Sequence, residues 1–454
     1  MKIPILGGSH KLRSVNFGAQ RSVNLYPVLD KDGKSQVGLF GTPGLIRFAE
    51  LTGEVRGLHV MDGTLYAVAG NLLYSIDSAG NATSLGSISS ATGPVSMADN
   101  GTEIAIADGT LHIYTSGAIT NTAFSATRVQ FLDGYFLFNE PGSGRFRYTG
   151  LYAGVTIDSL DVATAEGSPD DVVSLIVDHR EIWLFGSNST EVWYNSGGAD
   201  VPFSRIQGAF IETGCAAAHS VSKADNSVFW VSSDDRGNGH VMRANGYVPQ
   251  IVSDRGIELI LASGDISDAR GYTYQQEGHT FYVLNLPALD RTVVYDASTG
   301  LWHERMWWDG AEHRHRGQCY AFAYGKHLVG DHTNGRVYQL SLDTYADDGD
   351  ELVALRESQH LSADGKRMVF ASLQVDLEAG VGLVSGQGSD PQIMLQWSDD
   401  GGHTWGSEHW RSMGKIGEYR RRALWHRLGS AYTRTWRIKV SDPVKRVLID
   451  GFVL

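Results

Sequence analysis

An all-β protein, a β-propeller followed by a small C-terminal β-sandwich, is what this sequence predicts, on three observations. Short alternating strands separated by turn residues recur as far as Asp343. A count of 54 glycines with 10% aromatic residues suits a hairpin-rich chain better than a helical one. Beyond Asp343 the recurrence stops, and a second, differently charged set of strands begins. At 454 residues the chain exceeds what one compact core holds, so a large repetitive domain with a smaller companion is expected.

Residues 1–52 are expected to form an N-terminal arm with short strands. Pro27 and Pro43 each remove a ladder donor, and the polar run Asp30-Lys31-Asp32-Gly33-Lys34 reads as a turn between two strands. Such an arm would either close the propeller or reach a neighbouring subunit.

Residues 53–343 are the expected propeller. Four clear units, "DGTLYAVAGNLLYSID" from Asp62, "NGTEIAIADGTLHIYT" from Asn100, "DGYFLFNEPGSGRFRYT" from Asp133 and "HREIWLFGSNSTEVWYN" from His179, share one grammar: turn, alternating strand, turn, returning strand. The grammar continues less cleanly from Asp225, Glu277 and Tyr324, giving units 33 to 52 residues apart. That spacing is close to the ~40 to 50 residues of a four-stranded blade. Seven blades are predicted, with six as the alternative; Ala199 to Gly214 is poor in repeat pattern. Residues 344–366 read as a charged linker in which only Glu351 to Gln359 looks briefly helical. Residues 367–454, with "QIMLQWSD", "RTWRIKVSD" and "KRVLIDGFVL", are the expected sandwich.

Charge narrows the function. A net −13 disfavours nonspecific adhesion to nucleic acid. Its distribution is uneven: Arg411 to Arg446 holds eleven basic residues against Glu418 and Asp442, a balance of +9 that leaves −22 for the remainder. Cys215 and Cys319 stand apart with no C-x-x-C partner, which points to a reducing compartment. The N-terminal apolar run is too short for a signal segment and no stretch is long enough to span a bilayer, so a soluble chain without stable membrane insertion is expected.

Three motifs carry possible chemistry. In "QWSDDGGHTW", the residues Ser398, Asp400, Gly402, Thr404 and Trp405 fit the Asp-box pattern familiar from sialidases. The box has a mechanical reading: Asp400 accepts turn amides, Gly402 takes a positive φ, and Thr404 and Trp405 pin the hairpin. A sialidase-like glycosidase, or a carbohydrate-binding protein, is the alternative. It would want one box per blade and an F-R-I-P strand, whereas Phe203-Ser204-Arg205-Ile206-Gln207 lacks the proline. His303, His313 and His315, near Glu304 and Glu312, could in principle ligate a metal, but the interleaved arginines oppose a bound cation. An exposed loop and strand edge, with Trp302, Trp307 and Trp308 packing between blades, is expected there, with no metal or cofactor. The basic C-terminal stretch reads as a nucleic-acid surface, as charged edge strands, or as a contact for an acidic neighbour; the whole +9 band is expected to make such a contact rather than to hold DNA, which it would retain.

The segment Ala19 to Leu45, with Val23-Asn24-Leu25-Tyr26-Pro27 and then Leu39-Phe40-Gly41-Thr42-Pro43-Gly44-Leu45, resembles the start of packaged-DNA stabilisation proteins, the tail-hub or nozzle components of short-tailed bacteriophages. Asp170 to Gly198 looks like the family's mid-propeller segment. Arg421 to Val444 is similar to its terminal strands, with an R-x-L-W-x-R-x-G core at Arg422, Leu424, Trp425, Arg427 and Gly429. The resemblance implies a non-enzymatic homohexameric ring below the head-completion adaptor. It would close the channel on the packaged genome, let DNA pass transiently at ejection, and meet the tail needle, fibre or spike. It also implies assembly in the host bacterial cytoplasm and residence in the virion tail. Arg420, Arg421, Arg422, Arg427, Asn24, Tyr26 and Pro27 are the candidate interface residues.

Overall fold

Tight two-residue turns follow the first strand of six propeller units, and their backbone angles explain the residues found there. Asp62-Gly63, Asp133-Gly134, His179-Arg180, Asp225-Asn226, Glu277-Gly278 and Tyr324-Gly325 all have both residues at positive φ. This is the turn whose twist matches a right-handed hairpin. Each joins the first two strands of its unit, as in Val55–Met61 with Thr64–Ala69 and Arg270–Gln276 with His279–Leu286. The computed structural model describes residues 2–14, 16–30, 32, 35–165, 167–234, 237 and 239–453.

Five units are separate four-stranded antiparallel sheets, beginning at Val55–Met61, Ser96–Asp99, Val129–Leu132, Val172–Asp178 and Ser222–Ala224. The stretch Ala199 to Gly214, poor in repeat pattern, supplies the outermost strand Phe203–Ile211 of the fourth. The strand Glu103–Ala107 shows why the alternation is hard to read: every residue in it is buried. Ile104 and Ile106 pack toward Val68 and Leu73 of the preceding unit, while Ala105 and Ala107 pack toward Phe136 and Phe138 of the next. A blade covered on both faces needs apolar residues at both parities.

The last unit, Gly317–Ala323, Lys326–Asp331 and Arg336–Ser341, takes its outer strand from the N-terminal segment: Gly44–Glu50 pairs antiparallel with Arg336–Ser341. Two glycines permit this join. A Cβ on Gly44 would lie 2.4 Å from the Thr344 carbonyl oxygen, and one on Gly335 would lie 1.9 Å from that of Leu51.

The unit Arg270–Gln276 to Leu301–Trp308 does not end at its outer strand. Its sheet runs on through Ala19–Val23, Ala354–Glu357, Thr433–Val440, Gln392–Ser398 and His409–Ser412. A second sheet, ordered Leu25–Leu29, Val37–Gly41, Val447–Val453, Ser372–Leu377 and Ala423–His426, faces it. Between them lies a core that includes Ile3, Ile5, Leu25, Leu39, Ile393, Leu395, Trp425, Trp436 and Ile438. Propeller and sandwich are thus joined by continuous backbone hydrogen bonding rather than by a tether.

This changes the part boundaries expected from sequence. The arm contributes strands to the sandwich and to the propeller, and of its predicted turn, Lys31, Gly33 and Lys34 lie outside the described residues. The expected linker, including the stretch read as helical, contains the buried strand Ala354–Glu357 between Ala19–Val23 and Thr433–Val440. Leu, Arg and Glu carry good helix propensity, but two flanking strands override it.

Candidate assembly surface

Asn24, Tyr26 and Pro27, expected at an interface, are instead buried within the chain. Asn24 is fully buried at φ +52°, a backbone state that Asn tolerates better than most residues. Its side-chain amide donates to the carbonyls of Met306 (3.0 Å) and Val353 (2.8 Å), and its Oδ1 accepts from the Met306 amide (3.0 Å). One side chain therefore ties the arm to the propeller strand Leu301–Trp308 and to the segment entering Ala354–Glu357. Tyr26 packs edge-on to Phe281 and His279.

Sequence reasoning missed the ionic half of this junction. Arg21 is buried and donates to Glu304 through Nε (3.1 Å) and Nη2 (2.9 Å), and to Glu312 at 3.0 to 3.2 Å. Burial alone would raise the Glu304 carboxyl. The charge and hydrogen bonds of Arg21 overcome it and, with Arg291 and Ser9, hold it down to about 2. Arg356, fully buried, donates to the carbonyls of Ile5, Gly8 and Arg21. The only sequence signal was polar residues set inside otherwise strand-like runs.

The basic segment divides in two. Arg434 is bidentate to Asp399 (2.6 and 2.7 Å) and lies over Phe370 at 4.3 Å. Arg437 bonds Glu357, while Lys439 and Lys445 pair with Glu408 and Glu378. Arg446 is buried. These five cations are used inside the chain, so the +9 balance is not one surface band. Arg420, Arg421, Arg422 and Arg427 are exposed, and no described residue pairs with their guanidinium groups. Three of them stand on a tip where residues 380–389 and 414–422 meet: Gly417 donates to the Gly380 carbonyl (3.2 Å), and the aromatic ring of Tyr419 lies against Gly380. Val384, Ile416 and Tyr419, at 86%, 60% and 76% exposure, share that tip. An aromatic, apolar and arginine-rich patch is the composition of a docking surface.

The Asp box follows the strand Gln392–Ser398. Asp400 accepts from Ser398 Oγ (2.6 Å), from the Thr404 amide (2.9 and 3.0 Å) and from Thr404 Oγ1 (2.5 Å), while the Gly402 amide donates to Ser398 Oγ (2.7 Å). The side-chain bonds from Ser398 and Thr404 hold the Asp400 carboxyl well below the usual range. Trp405 carries the Arg437 guanidinium 3.7 Å from its ring centroid. Every acceptor position of Asp400 thus faces its own turn.

The histidines do not converge. His313 is held by Asp290 (2.8 Å) and Asp309 (3.1 Å), whereas His303 and His315 are buried, not on an exposed edge. Trp302 is buried and donates to the Val252 carbonyl, bridging adjacent units. Among the described residues no group of three or more His, Cys, Asp or Glu could hold a metal ion, and no helix is long and apolar enough to cross a membrane.

In this chain a propeller and a sandwich share one sheet. The family models for bacteriophage P22 Gp10 match in both parts, the β-propeller over residues 1–345 and the β-sandwich over residues 354–453. The chain belongs to the P22 Gp10 family, the tail-hub and DNA-stabilisation proteins of short-tailed phages, and is a virion tail component that contacts other virion parts. No curated protein matches the chain. Similar solved structures include the WD40 β-propeller domain of Doa1 (12% identity, TM-score 0.40, covering 65% of this chain and 97% of that one). Others are the designed protein Ika8 (15%, 0.39, 75% and 100%) and the extracellular domain of the one-component system BT4673 from B. thetaiotaomicron (8%, 0.44, 83% and 48%).

Proposed function

We propose that this tail hub acts as a non-enzymatic homohexameric ring, assembled in the host cytoplasm and docked below the head-completion adaptor. There it closes the channel on packaged DNA, serves as its exit conduit, and offers attachment for a needle, fibre or spike. The observation that carries the reading is the sandwich tip, with Arg420, Arg421 and Arg422 exposed beside Ile416 and Tyr419. The rest of the surface is predominantly acidic, so the tip finds complementary charge on a second copy or on an acidic adaptor. A basic band facing the conduit would retain the genome instead, because each neutralised phosphate adds counterion-release affinity.

Exposed pairs are worth only ~0 to 1 kcal/mol each, but they set orientation and encounter rate. Reversing Arg420, Arg421 and Arg422 to Glu is expected to weaken ring formation or adaptor docking, most at low salt. Native mass spectrometry and co-sedimentation read this out. A triple variant that assembles and docks like the wild type, with a wild-type ring that binds duplex DNA on a steep salt slope, assigns the tip to DNA.

The Asp box serves this scaffold as a turn. Asp400→Ala frees the Thr404 amide and both hydroxyls, and is expected to lower the melting temperature while leaving ring size unchanged. Calorimetry with light scattering checks both. A variant that melts like the wild type removes the turn role.

A further inference from the structure

The first strands of the propeller units enclose a cavity of about 340 Å³ near their N-terminal ends. Its chemistry is opposite to that of the chain as a whole. Among the described residues lining it are four cations, Arg56, Arg128, Lys223 and Arg270, and no carboxylate, in a protein of net charge −13.

The four are not equally satisfied. Arg56 donates to the carbonyls of Gly70, Ser90 and Gly93, and Lys223 to that of Val177 at 2.9 Å. Arg270 meets Gln318 and, at 3.3 Å, Glu54, but its Nε is buried without an acceptor. Arg128 makes one long side-chain bond, 3.4 Å to the Val221 carbonyl, and its Nε too is buried and unpaired. The buried Tyr272 hydroxyl, on the same wall, is a third group without a partner. Burial lowers Arg128 to about 10, and His219 lies well below its ordinary value through burial and the nearby charges of Arg128 and Arg270. Donors and positive charge thus converge on one recessed space whose lining holds no carboxylate, and Arg128 pairs there with a single carbonyl, an arrangement whose desolvation cost a negative partner would offset.

We propose that the central cavity of the propeller is a binding site for a small oxyanion, of the phosphate class, held by Arg128 and Arg270. The cavity is far too small for a nucleic-acid duplex, and the site is separate from both the sandwich tip and the conduit role. Guanidinium groups suit such a ligand because their planar donors match its oxygens. The bound anion would tie together first strands from blades far apart in sequence.

The test is equilibrium dialysis of the full-length chain against labelled inorganic phosphate, with chloride at matched ionic strength. Uptake is expected to saturate at about one phosphate per chain and to raise the melting temperature as bound ligand must. Arg128→Met is expected to weaken binding roughly ten- to a hundredfold. Gln130→Glu, nearly isosteric on the same wall, places a carboxylate in the cavity. It should melt higher than the wild type in phosphate-free buffer and take up no phosphate. No saturable uptake by the wild type overturns the proposal, as does uptake unchanged in Gln130→Glu. The second variant keeps the test decisive if Arg128→Met does not fold.

Discussion

Asn24→Ala is expected to destabilise the chain by on the order of 3 to 5 kcal/mol, because three buried backbone groups lose their partner without access to water. The groups are the carbonyls of Met306 and Val353 and the amide of Met306. Alanine also tolerates the φ of +52° less well than Asn. Because Asn24 touches the arm, the propeller and the segment leading into Ala354–Glu357, the loss falls on the junction. Denaturant unfolding of the variant is expected to split into separate steps for the two parts, where the wild type unfolds as one. A single transition with an unchanged midpoint contradicts the role given to Asn24.

Glu304→Ala should cost a similar amount, on the order of 3 to 5 kcal/mol, since it leaves the buried Arg21 with only the partly exposed Glu312. This effect has a pH signature. The folded carboxyl titrates at about 2 against an ordinary 4.5, so its contribution is fully present above 4.5 and is lost as pH falls toward 2. The stability difference between wild type and variant is therefore expected to be widest near neutral pH and to close in acid. Urea midpoints from pH 7 to 2.5 measure it; a difference independent of pH assigns the cost to packing rather than to charge.

How much of this was legible in the sequence depends on the range of the interaction. The turns at Asp62, Asp133, Asp225 and Glu277 were legible because a tight hairpin needs two positive-φ residues, a demand met by two adjacent side chains. The strand Ala354–Glu357 was not, because its partners Arg21–Val23 and Arg437–Val440 lie far off in sequence and local propensity favoured helix. The charge of the C-terminal segment was counted correctly but placed wrongly: Arg434 and Arg437 find Asp399 and Glu357 only when the sheet forms. Asn24 and Tyr26 stood out as part of a family-like stretch, yet nothing local separates a residue that pins two parts together from one that faces a partner. The cationic cavity was invisible for the same reason, since Arg56, Arg128, Lys223 and Arg270 come from four different units.

The most direct test of the account is a side-chain-resolution reconstruction of the assembled hub by cryo-electron microscopy. The expected result is a closed ring in which the tip carrying Ile416, Tyr419 and Arg420 to Arg422 is buried against a neighbouring copy or the adaptor, with acidic surface lining the conduit. A ring in which those arginines line the conduit and face the DNA would contradict it.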